Sequence, residues 1–120
     1  MPTQWSESIV IAELADEPEL SEELSAIFAR LTAETVPGAT EAPSVVLNFS
    51  GVRHLNSSHL AQLLRLRKRM TEIGRSLVLC SLGDDLWSVM MLTGLDKVFR
   101  FATDPVTALA SLQLEEAGGG

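Results

Sequence analysis

Two short runs constrain this chain more than any other feature: Val45-Val46-Leu47-Asn48-Phe49 and Leu77-Val78-Leu79-Cys80. Both contain β-branched residues and are almost continuously apolar. A strand with one wet face alternates in polarity. A strand apolar at nearly every position is covered on both faces, as in a parallel sheet packed between helices. Ile9-Val10-Ile11-Ala12 also reads as a strand, and Val98-Phe99-Arg100-Phe101 gives a weaker fourth.

Parallel neighbours require crossover segments, and the gaps between these runs carry helical spacing. Ser21 is a competent cap for a helix whose apolar residues Leu24, Ile27, Phe28 and Leu31 recur at three and four, with Glu22 and Glu23 at its positive end. A second helix starts near Ser57, carries Leu60, Leu63, Leu64, Leu66, Met70 and Ile73, and stops at Gly74. A third spans about Asp85 to Thr93, with Asp84-Asp85 as cap and dipole partner and Gly94 as its stop. A fourth begins at Pro105, after Asp104, and holds Val106, Leu109 and Leu112.

With 120 residues there is room for one such unit. The expectation is an α/β fold of about four mostly parallel strands alternating with four helices, a single domain over residues 1–114. The stretch Val36 to Pro43 reads as a loop of small residues and prolines, and residues 115–120 as a flexible Gly-rich tail.

Charge narrows the function classes. The net charge of −7 argues against gripping a phosphate backbone, and 5% aromatic content without Tyr against stacking bases, so no nucleic-acid partner is expected. The distribution is uneven. Residues 1–43 carry nine acids against Arg30, whereas residues 53–75 carry six basic residues against Glu72 alone. The basic segment reads as a solvated helix face or as a surface that steers an acidic partner.

The single cysteine, Cys80, leaves no internal disulfide and no Cys-based zinc site; it reads as a buried, reduced thiol. The N-terminal residues lack a signal pattern, and no apolar run approaches the ~20 residues that cross a bilayer. A cytoplasmic protein without direct membrane insertion is the expectation. Monomer and dimer both remain open.

The segment Asn48 to His59 leaves the C-terminal end of a strand and enters a helix, where α/β sheets usually bind ligands and partners. Asn56, Ser57 and Ser58 are all competent caps, and Leu55 can act as the preceding apolar staple. Three candidates for one cap leave a hydroxyl spare at a helix N-terminus. Phosphorylation there adds about −1.5 to −2 charges where helix N–H groups tolerate an anion. The fold survives such a change while its surface does not stay the same.

These residues resemble a known family. Val45 to Val52, then Leu55-Asn56-Ser57-Ser58 and Leu60 to Leu64, look like the STAS domain of bacterial anti-sigma factor antagonists. So do Gly74 to Cys80, Leu92-Thr93-Gly94-Leu95-Asp96-Lys97-Val98-Phe99 and the last helix around Ala108-Leu109. The resemblance covers residues 44–113 well and 7–35 loosely, where one strand and a helix stand in place of the usual strand pair.

The resemblance implies a binding module rather than an enzyme. Its partner would be an anti-sigma factor that is also a serine kinase, with a phosphatase restoring binding. Ser57 would be the phosphoacceptor. Arg53, His54, Asn56, Ser58, His59, Gln62, Arg65 and Arg69 would form the contact surface, on loop 53–58 and the following helix. Asn56 stands where the family has aspartate, and His59 stands where it has glycine and leaves room for a partner. An alternative within the same family is an accessory subunit of an ABC-type lipid transporter.

Enzyme readings are weaker. His54, Ser57 and Asp84 or Asp85 could form a hydrolase triad, but no Gly-x-Ser-x-Gly elbow exposes a serine. His54 and His59 have the wrong spacing for a metal on one helical face. No glycine-rich phosphate loop occurs, so neither metal nor cofactor is expected. Trp87, one position off its helix's apolar face, is a core residue or a contact residue, and Trp5 is read as anchoring the N-terminal segment.

Overall fold

The computed structural model describes residues 3–5, 9–34 and 43–118. Strands β1 (Thr3–Trp5) and β2 (Ile9–Ala15) precede helix α1 (Glu19–Glu34). Then come β3 (Ser44–Gly51), α2 (Ser57–Glu72), β4 (Leu77–Cys80) and α3 (Asp84–Thr93). A 3-10 turn (Leu95–Lys97), β5 (Arg100–Ala102) and α4 (Pro105–Gly118) complete the order. One sheet has the order β1-β2-β3-β4-β5, with β2 to β5 parallel and β1 antiparallel to β2. The expected α/β architecture of four parallel strands and four helices is what forms.

The alternation along each strand explains the continuous apolar runs. Val10, Ala12, Leu14, Val45, Leu47, Phe49, Leu77 and Leu79 face a core completed by α1, α2 and α3, through residues such as Leu24, Leu63 and Leu86. Ile9, Val46, Val78 and Cys80 face the other way, against Ala108 and Leu112 of α4. Crossovers between parallel strands are right-handed, so a sheet that always steps in the same direction collects its crossover helices on one face. Only α4, which follows the last strand, is free to turn back and seal the second face. Cys80 is buried there, and that burial pushes its thiol pKa up.

Several local readings are corrected. The N-terminal region does hold a strand pair: β1 registers Thr3, Gln4 and Trp5 against Ala12, Ile11 and Val10. Helix α1 starts at Glu19 rather than at a Ser21 cap, because the Glu17 carboxylate accepts the Ser21 N–H at 3.1 Å and takes over the capping role. Gly83, not Asp84 or Asp85, caps α3, and the two aspartates lie in its first turn without a side-chain cap bond.

The last strand begins at Arg100 because Val98 and Phe99 close back onto the Leu95 carbonyl. Helix α4 runs past Leu114, and Glu115 within it is held by Ser76 Oγ at 2.8 Å and by Arg100. The loop from Val36 to Ala42 and the Trp5 side chain lie outside the described residues. Gly94, at φ 78°, ends α3 in the left-handed conformation expected of it.

Gly51 shows how tightly the sheet meets the loop that follows. A Cβ built on it would sit 2.8 Å from the backbone oxygen of Leu14, where the β2–β3 register shifts. Gly51→Ala should therefore destabilise the fold by about 1–3 kcal/mol through forced separation of two backbones. Urea unfolding should show a lower midpoint at unchanged slope; an unaltered midpoint would mean the two strands separate without cost.

Candidate functional site

The loop after β3 departs from the sheet in steps that each satisfy a backbone group. Asn48 Oδ1 accepts the Ser50 N–H at 3.0 Å, and the Phe49 carbonyl accepts the Val52 N–H at 2.9 Å. Val52 then drops its side chain into the core. Beyond it, the N–H groups of Arg53 and His54 have no strand to pair with. Asp16, at the end of β2, takes both on Oδ1, at 2.8 and 3.3 Å. The Arg53 bond is the main reason the Asp16 carboxyl sits below its ordinary pKa; the His54 bond adds to it against some desolvation.

The start of α2 resolves the competition for the cap. Asn56 is the N-cap, with extended backbone, and its side chain accepts the His59 N–H at 2.9 Å. His59 Nδ1 in turn accepts the Asn56 N–H at 3.1 Å. This is a capping box in which histidine does the work of the usual Glu or Gln. Because Nδ1 accepts, the ring hydrogen lies on Nε2, which donates to Glu17 Oε2 at 2.9 Å.

Ser57 and Ser58, the first two helical residues, are exposed, and no other described residue hydrogen-bonds either hydroxyl. The spare hydroxyls inferred from the sequence are therefore Ser57 and Ser58. Asn56 is exposed as a residue, but its side chain is spent on the cap.

His59 does not reach the surface. It is 3% exposed and folded inward, so it cannot stand in a partner's way or serve as a contact residue. The reason is the pair of bonds to Asn56 and Glu17, which hold the ring beneath the loop.

Gln62 is half-buried and spends its amide on the Ser21 carbonyl and Ser25 Oγ of α1, at 3.2 and 3.1 Å. Arg69 is also half-buried, ion-paired to Glu72 at 3.6 Å, and lies about 18 Å down the helix from Ser57. Arg53, His54, Ser57 and Ser58 thus share the exposed loop end, with Arg65 exposed two turns along α2. Trp87 is 38% exposed and stands edge-on to Phe101, with ring centres 4.9 Å apart.

Sequence reasoning missed three participants. Asp16 and Glu17 are long-range partners, 37 and 42 residues from the groups they hold. Their only local signal is a polar Asp-Glu-Pro at the end of an apolar strand. Leu64, one of the apolar residues that mark α2 in the sequence, is exposed, as are Ala61 and Arg65.

The STAS domain matches residues 11–108 of this sequence. The chain belongs to the STAS domain family. A STAS-domain anti-sigma-factor antagonist protein of Planctomyces limnophilus superposes with a TM-score of 0.75 at 21% identity, over 92% of this chain and 96% of that one. A putative anti-sigma factor antagonist of Thermotoga maritima gives 0.71 at 17% identity, over 93% of each chain. The Bacillus cell fate determinant SpoIIAA, solved in its phosphorylated form, gives 0.62 at 17% identity, over 91% and 96%. No curated protein matches the sequence. No helix among the described residues of this STAS domain is long and apolar enough to cross a membrane.

Glu17 supplies a test of the network. Its carboxyl accepts from the Ser21 hydroxyl, His59 and the Ser21 N–H, which together lower its pKa from 4.5 to about 2. A carboxyl held lower in the folded state stabilises the fold fully above its unfolded value and loses that contribution as pH falls towards the folded one. Between about pH 4.5 and 2, the native protein should therefore lose stability more steeply than Glu17→Gln. Urea midpoints measured across that window test this; superimposable acid limbs would dissociate Glu17 from the fold.

Proposed function

We propose that this STAS domain is an anti-sigma-factor-antagonist-like binding module whose loop 53–58 and adjoining face of α2 dock a serine-kinase anti-sigma factor, with Ser57 as the phosphoacceptor. The observation that carries this reading is the exposed Ser57 hydroxyl at the first position of a helix whose cap is already supplied by Asn56. Around it, Arg53, His54, Ser58, Leu64 and Arg65 offer a mixed basic and apolar surface suited to a protein.

The sheet order also favours a protein partner over a small substrate. In doubly wound sheets a crevice opens where the strand order reverses. Here the order runs straight from β1 to β5 and opens no such crevice beside Ser57. A hydrolase reading needs the His54 ring bonded to Ser57 and to Asp84 or Asp85, and among the described residues His54 is held only through its backbone N–H, by Asp16. The resemblances to antagonist structures support the same choice.

In this mechanism the unmodified domain binds its partner and a phosphate on Ser57 weakens the complex. The added charge would have to be desolvated in the contact zone, and phosphate on the partner-facing side gains no compensating pair from it. The phosphate would come from ATP bound by the kinase.

The test is kinase treatment with ATP followed by peptide mapping, together with calorimetry of the complex. Modification should fall on Ser57 and vanish in Ser57→Ala. Ser57→Asp should weaken binding roughly tenfold or more, the scale of a charge buried without its pair. Modification confined to Ser58, or equal affinity for Ser57→Asp, would defeat the assignment. Capture of a transporter ATPase in place of a kinase would favour the lipid-transporter role instead.

A further inference from the structure

The outer side of α2 carries a stripe that the core does not use. Ser57, Ala61, Leu64 and Lys68 recur at steps of four, three and four, so they follow one line of the helix about 16 Å long, with Arg65 on its flank. All five are exposed, Leu64 by 40%. We propose that this stripe binds an acidic surface of a protein partner, with Arg65 and Lys68 selecting it and Ala61 and Leu64 as the apolar centre. The inference rests on the docking role proposed for the Ser57 end and names the chemistry of the partner that fits there.

Charge complementarity carries it. On a solvated helix face a cation is commonly answered by an acid three or four residues away. Arg65 has Ala61, Gln62, Lys68 and Arg69 at those positions, two neutral residues and two further cations. Lys68 has one acid within that reach, Glu72, and Glu72 is ion-paired to Arg69 at 3.6 Å. Among the described residues Arg65 and Lys68 make neither a hydrogen bond nor an ion pair. Like charges at these spacings repel and cost the helix stability. The helix dipole gives no return for that cost, because its effect is confined to the last turn and both residues precede it.

A membrane or a nucleic acid would also supply negative charge. Either would meet the rest of a chain whose net charge is −7, beginning with the exposed Glu19 and Glu22 of α1, which packs beside α2. A protein can set carboxylates over the stripe and neutral groups over α1, and like charges suppress the wrong register. Ser57 heads the same line as Lys68, so a phosphate there would add about −1.5 to −2 charges to the stripe. It would offset the two cations and repel the partner's carboxylates, and the attraction would end with the modification.

Stopped-flow association of the full chain with the kinase that modifies it, in the absence of ATP, tests the partner's chemistry. The association rate should fall roughly tenfold or more between about 50 and about 500 mM sodium chloride, as screening shortens the reach of the field. Arg65→Gln and Lys68→Gln should each slow association several-fold at the lower salt and flatten that dependence, with little change in dissociation rate. Their urea midpoints should be unchanged or higher, because each change relieves a repulsion; a clear fall would show that the two residues support the fold and would overturn the proposal. Ser57→Asp should flatten the salt dependence as well. A complex whose association ignores both salt and the two glutamine variants would overturn the inference and leave the docking reading intact. Absence of any complex with the unaltered chain would remove the docking reading and this inference with it. Saturable binding to phosphatidylglycerol vesicles, lost in Lys68→Gln, would overturn the choice of a protein partner.

Discussion

One carboxylate oxygen, Asp16 Oδ1, accepts the two backbone N–H groups that the chain exposes on leaving β3. A loop departing from a sheet loses its ladder partners, and unpaired backbone donors favour wandering conformations that reach water. Asp16 removes that freedom at Arg53 and His54, four and three residues before Ser57. The neighbouring Glu17 completes the arrangement by joining the first turn of α1 to His59 of α2. Acids of the strongly negative N-terminal block thus hold backbone and imidazole groups of the basic segment, and leave Arg53 and Arg65 exposed.

The sheet's single winding sets what this ordered loop can do. Three crossover helices share one face, α4 closes the other, and the C-terminal ends of the parallel strands form an edge without a reversal of strand order. Such an edge presents side chains outward rather than around a substrate. A loop held by such bonds would suit the recognition proposed for it, since ordering a surface beforehand reduces the entropy lost on binding.

Much of this was legible because the strongest signals are local. The runs at Val45 and Leu77, the glycine stop at Gly94 and the Pro105 start each report their own few residues. What escaped depends on contacts distant in sequence or on ambiguous chemistry. Strand β1 is three residues, Thr-Gln-Trp, with no periodicity to detect; pairing with β2 defines it. His59 looked like an exposed obstacle because histidine is a rare third residue in a capping box, and only its approach to Glu17 shows which way the ring turns. The extension of α4 rests on Glu115 meeting Ser76 and Arg100, contacts that helix propensity cannot foretell.

The cap of α2 is the neutral Asn56 rather than a carboxylate. A neutral cap forgoes the attraction between a carboxylate and the positive helix end, which would make α2 slightly less stable. It also removes the like charge that would face a phosphate on Ser57. Helix geometry leaves the N–H groups of Ser57 and Ser58 without intrahelical partners, while Asn56 Oδ1 is occupied by the His59 N–H. A phosphate on Ser57 would therefore find donors beside it without displacing the cap. The helix would keep its cap, and the added charge would lie at the exposed loop end, where the proposed partner would dock.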